Sequence, residues 1–169
     1  MPTYKLIATN TVGSGGVASV TFSSIPATYT DLIVKISARS TAGGAFAGLI
    51  IAPNGLSTNY TLKWLGDAGG SAVSYNYAAF GYNHLFYIPA SAAPTPAFGN
   101  GEITIPNYTS ANYKCISTDG ANENNAATVY QGMTSGLWSS TAAISSLTFS
   151  TGGNFVQYST FTLYGISNA

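Results

Sequence analysis

Charge is the scarcest ingredient of this chain. Five basic and five acidic side chains serve 169 residues, 6% of the total, and the formal net charge is zero; an average soluble domain carries about 25%. Lys5, Lys35, Arg39, Lys63 and Lys114 stand singly and read as isolated surface positions. No stripe of them can neutralise consecutive phosphates, so nucleic acid is not an expected partner. An anionic membrane surface loses the same support.

Cysteine is nearly absent as well. Cys115 alone excludes an intrachain disulfide, a CxxC redox pair and a multi-cysteine zinc site. Within Tyr113-Lys114-Cys115-Ile116 it reads as a small core residue. Long apolar runs are missing too. The opening MPTYKLIATN has no stretch of signal-peptide length, and polar or turn residues interrupt every long uncharged segment, so neither a secretion signal nor a membrane span is expected.

Catalytic groups are equally sparse. The acids Asp31, Asp67, Glu102, Asp119 and Glu123 form no recognisable pair, and the Gly-x-Ser-x-Gly elbow does not occur. His84, the only imidazole, lies in the aromatic run Tyr82-Asn83-His84-Leu85-Phe86-Tyr87 and reads as a packed, hydrogen-bonded side chain. The segment Asp119 to Asn125 groups oxygen ligands that calcium prefers, but it departs from the EF-hand spacing and reads first as a polar hairpin tip. The expectation is a protein that is not an enzyme, with no cofactor and no metal.

What the chain does contain is alternation. From Asp31 to Arg39, Leu32, Val34, Ile36 and Ala38 fall on one face while Ile33, Lys35, Ser37 and Arg39 fall on the other, the period of a half-buried strand. Similar patterns rich in Val, Ile, Thr, Tyr and Phe cover about 3–9, 17–23, 46–52, 59–65, 72–80, 84–88, 101–105, 113–118, 127–134, 144–150 and 155–166. Turn chemistry separates them at Gly13–Gly16, Ile25–Ala27, Ala42–Gly44, Pro53–Gly55, Asp67–Gly70, Asn100-Gly101 and Thr151–Asn154. A short helical turn around Ser135 to Ala142 competes there with a loop.

Twelve short strands in one chain of this size imply an all-β, single-domain antiparallel β-sandwich spanning 1–169 and jelly-roll-like in character. The last segment, 155–166, is long enough to run as one strand through a sheet. Between Ala90 and Gly101 the sequence is too rich in Pro and Ala for a sheet interior, and reads as an exposed loop or partner-docking arm. Candidate partner contacts are Tyr82, Tyr87, Pro94, Pro96, Phe98 and Trp138, because aromatics on loops and near turns anchor interfaces or stack on carbohydrate.

Two long motifs carry a resemblance. Residues 3–40, TYKLIATNTVGSGGVASVTFSSIPATYTDLIVKISARS, and 155–166, FVQYSTFTLYGI, are similar to those of a family of small structural proteins of marine and freshwater tailed bacteriophages. Further similarity covers Ile103 to Ser110, Glu123 to Ala127 and Gly136 to Ile144, with 41–100 the least similar part. The resemblance implies association with the virion and a β-sandwich, and it brings no catalytic residues. A tail fibre normally carries an attachment region and a trimerising shaft, whereas the strand pattern here begins at Thr3, so the expected place is the outer surface of the head. There the chain would act as a capsid decoration (cement) protein, made in the host cytoplasm, with the major capsid protein and copies of itself in a homotrimer as partners. The competing expectation is a tail-fibre or receptor-binding domain that recognises host surface glycans.

Overall fold

Alternating apolar residues on twelve segments oblige the chain to bury one face of each. The computed structural model, which describes residues 1–80, 84–123 and 130–167, does so with two antiparallel sheets and, among those residues, no helix. The strands are β1 (Thr3–Thr11), β2 (Val17–Phe22), β3 (Asp31–Ala38), β4 (Phe46–Pro53), β5 (Tyr60–Ala68), β6 (Ala72–Phe80), β7 (His84–Pro89), β8 (Gly99–Pro106), β9 (Lys114–Asn122), β10 (Tyr130–Trp138), β11 (Leu147–Phe155) and β12 (Thr160–Ser167). An eight-stranded sheet runs β1-β12-β3-β8-β9-β10-β5-β6, and a four-stranded sheet runs β2-β11-β4-β7. The fold is thus the expected β-sandwich, with its layers unequal in width.

The core lies between the sheets. Leu32, Val34, Phe161 and Leu163 are fully buried on the large sheet, as their alternation requires, and Leu49, Ile51, Leu147, Phe149 and Phe155 answer from the small one. Phe161 is the hub of the contact: its ring stacks on Phe149 at 5.5 Å and meets Phe155 edge-on at 4.9 Å.

The inner face of the large sheet has a second, less ordinary feature. Cross-strand register places Gly101, Gly120, Gly132 and Gly66 side by side on β8, β9, β10 and β5. Two rings occupy the space that four side chains would need. Phe86 of β7 lies against Gly101 and Gly120, and the Trp64 indole lies over Gly132 and Gly66. Because β7 comes so close, its Leu85 carbonyl receives hydroxyl hydrogen bonds from Thr118, at 3.0 Å, and from Thr134. Those bonds satisfy a main-chain acceptor on an edge strand and explain why two threonines sit in the interior, at 5% and 2% exposure.

Several expectations are corrected. Segment 155–166 is not one strand: β11 ends at Phe155, Tyr158 takes a left-handed φ of 72°, and the chain crosses to the other sheet before β12 begins. Gly101 stands inside β8 rather than in a turn, and Thr151–Asn154 forms an irregularity within β11. The helical turn around Ser135 is absent, because β10 continues to Trp138.

The phase of β9 is opposite to the one expected. Lys114, Ile116, Thr118, Gly120 and Asn122 point inward while Cys115 is exposed. Strand period forbids Cys115 and Ile116 from sharing a face, and Ile116 takes the core.

A methyl group at Gly120 would overlap the Phe86 ring, so Gly120→Ala should lower unfolding stability by about 1–3 kcal/mol. Gly13→Ala, at a turn with open space around it, should stay within about 0.5 kcal/mol. Urea denaturation of the two variants measures the contrast.

Candidate interaction surface

The ten formal charges are distributed unevenly over the two sheets. Lys5, Asp31, Lys35, Lys63, Asp67, Glu102, Lys114 and Asp119 lie on strands of the large sheet, and Arg39 and Glu123 directly follow β3 and β9. Strands β2, β11, β4 and β7 contain no Asp, Glu, Lys or Arg. Register sets out their rows: Thr21, Thr148 and Ala52 in one, and Ser19, Ser150, Ile50 and His84 in the next. Thr21 and Thr148 share a hydroxyl hydrogen bond of 3.0 Å. The small sheet therefore offers hydroxyls and small apolar groups without ions. The large sheet's outer face carries the row Thr9, Thr162, Lys35, Glu102, Asp119, Met133, Leu65 and Ser74, in which Lys35 and Glu102 form an ion pair.

Two of the five cations are not on the surface at all, which corrects their reading as exposed positions. Arg39 is 6% exposed and Lys114 is 1% exposed. Their described partners are main-chain carbonyls rather than acids. The Lys114 ammonium donates to the carbonyls of Ser110 at 2.6 Å, Asn112 at 2.7 Å and Ser140 at 3.3 Å, beside the Trp138 ring. The Arg39 guanidinium donates from Nη1 to Pro94 O at 2.7 Å and Ala97 O at 3.2 Å, and from Nη2 to Ala93 O at 2.8 Å. Burial lowers the pKa of each, and main-chain carbonyls replace the lost water.

Arg39 thereby defines the Pro- and Ala-rich segment. Residues 90–98 do not extend as an arm. Turn bonds Ala93 N to Ala90 O and Ala97 N to Pro94 O fold the loop on itself, and Ser91 and Ala92 donate to Ala42 and Gly44. Pro94 and Pro96 are exposed on this anchored loop, and Phe98 is half-buried.

The remaining candidates separate. Tyr87 is half-buried in an aromatic cluster with Phe46, Trp64, His84 and Tyr130. Trp138 is wholly buried, stacked on Tyr60 at 6.4 Å, and is a core residue rather than a contact. Tyr82 lies outside the described residues. So do Asn124 and Asn125 of the calcium candidate; within the described part, Asp119 points outward and Asn122 inward, so alternation keeps those two from sharing an ion. Exposed apolar side chains that the sequence did not single out include Tyr4, Leu6, Leu65, Met133 and Tyr158.

Burial lowers the pKa of His84 and raises that of Tyr87, the latter with help from Tyr77, Tyr130 and Tyr75. No model of a known protein family matches the chain, and no curated protein matches it either.

Removing the fork should release the loop. Arg39→Ala removes the side-chain donor from three carbonyls, of which Pro94 O keeps the Ala97 N–H, and should cost about 2–4 kcal/mol, with new proteolytic cleavage between residues 90 and 98. Arg39→Lys should rescue only part, because an ammonium lacks the planar reach to all three.

His84 sets a second expectation. The unfolded chain takes up a proton near the ordinary imidazole value of 6.5, while the folded chain resists it. Below that pH the unfolded state binds more protons, so melting temperature should fall as pH drops from about 6.5 to 5, above the carboxylate range. His84→Gln should flatten the profile in that window.

Proposed function

We propose that this protein is a virion structural protein of a tailed phage, a cement protein seated on the outside of the head with the major capsid protein and further copies of itself, as a homotrimer, for partners. The observation that carries the proposal is the charge-free small sheet. Burying an ion against a partner costs several kcal/mol unless it is fully paired, and a face of Thr, Ser, Ala and Ile, with one histidine whose burial disfavours its charged form, buries nothing of that kind. The charged outer face of the large sheet is then left to water. The similarity of residues 3–40 and 155–166 to phage structural proteins supports the same reading.

Size determines how such a surface must work. Four strands at about 4.8 Å spacing and roughly 20–30 Å long give a patch of about 400–600 Å². A standard interface takes about 800 Å² from each partner, so one patch holds weakly. Several copies that share neighbouring capsomers hold by multivalency, and the anchored Pro94–Pro96 loop adds contact area that needs little further ordering.

Contacts of this composition resist screening, so particles should keep the protein through a high-salt wash, and particles lacking it should assemble but lose heat resistance. Thr21→Lys, on the small sheet, should abolish retention, whereas Ser117→Lys, on the exposed face of β9, should not. Equal retention of both variants contradicts the assignment of the face. Antibody labelling confined to the tail, or lost host adsorption with unchanged head stability, overturns the proposal in favour of a glycan-binding fibre tip.

A further inference from the structure

The large sheet is wider than its partner, and the excess is aromatic. β7, at the edge of the small sheet, packs over β8, β9 and β10, so β5 and β6 project beyond it. On this ledge Tyr75 is 44% exposed and Tyr77 39% exposed, with ring centroids 6.1 Å apart. Neither ring is loose. Tyr75 stacks on Trp64 at 5.7 Å and 21°, and Trp64, 7% exposed, is in turn met edge-on by Tyr87 at 6.4 Å. Beneath them Trp64 lies flat over two glycines.

We propose that this ledge is a stacking site for a neutral oligosaccharide. The inference goes beyond cementing, which requires no sugar. Three observations select the ligand. First, the small recess lined by Trp64, Tyr75, Tyr77, His84, Phe86 and Tyr87 holds only about 20 Å³, so a ligand lies across the rings rather than inside them. Second, none of those six side chains is an acid, a lysine or an arginine, and burial disfavours the charged form of His84, so the lining offers no counter-charge to an anionic or cationic ligand. Third, the lining is aromatic with polar tips and has no aliphatic member; the exposed Leu65 and Met133 are cross-strand neighbours on the opposite face of the sheet.

Such a lining suits a pyranose, whose C–H face stacks on an aromatic ring while its hydroxyls seek donors and acceptors. Phenol groups of Tyr75 and Tyr87, together with the outer main-chain edge of β6, supply them. Ordering cost is small because Tyr75 is already held by Trp64.

The chain has two tryptophans, which makes the test local. In a ¹⁵N spectrum the Trp64 indole reports on the ledge and the buried Trp138 indole on the core. Titration with maltohexaose, cellohexaose, mannohexaose and chitohexaose should move the Trp64 signal and leave Trp138 in place for at least one of them. Tyr75→Phe should keep most of that affinity, and Tyr75→Ala should weaken it at least tenfold. If Tyr75→Ala fails to fold, Tyr77→Ala serves in its place. No movement with any of the four sugars up to ~10 mM overturns the proposal, as does a shift that survives both alanine variants. Capsid retention of Tyr75→Ala, scored separately, should equal that of the native protein, so loss of sugar binding does not bear on cementing.

Discussion

The two layers of this protein can meet closely because four neighbouring strands have no side chain at the same level. Gly66, Gly101, Gly120 and Gly132 open a lane across the inner face of the large sheet, and Phe86 and Trp64 lie in it. Much follows from that approach. It brings the Leu85 carbonyl within reach of two threonine hydroxyls, fixes the lateral position of β7, and leaves β5 and β6 projecting beyond the smaller sheet. Glycine in a strand interior usually weakens it through lost packing and greater backbone entropy. Here the packing is restored by aromatic rings supplied from elsewhere.

Buried cations are handled by the same economy of groups. With so few acids in the chain, Arg39 and Lys114 are solvated by main-chain carbonyls at the ends of strands. Each ties a loop to the sandwich. An ion pair would need a second buried charge with its own desolvation cost, whereas carbonyls at loop turns already require donors.

All twelve strands were legible in the sequence because period-two alternation is a local signal. What was not legible depended on register between distant segments. The glycine lane is invisible until β8, β9, β10 and β5 are aligned, so Gly101 resembled a turn residue. The inward face of β9 could not be chosen from Lys114-Cys115-Ile116 alone, since a lysine is ordinarily placed outside and its carbonyl partners lie on two loops, Ser110 and Asn112 before β9 and Ser140 after β10. Alternation also ran unbroken through Val156–Ser159, where neither Gly nor Pro marks the crossing between sheets. For the surface, Pro94 and Pro96 are exposed as their segment suggested while Phe98 is half-buried, and whether Trp64 or Trp138 lay near solvent depended on which layer was narrower. The segregation of charge could have been read from the chain once the strands of each sheet were known.

The unexpected phase of β9 has a practical side. It turns the molecule's one thiol outward on the large sheet, away from the ion-free strands. A maleimide dye, a gold particle or a displayed peptide coupled at Cys115 would therefore sit once per subunit, at a defined position, and point away from whatever the small sheet rests on.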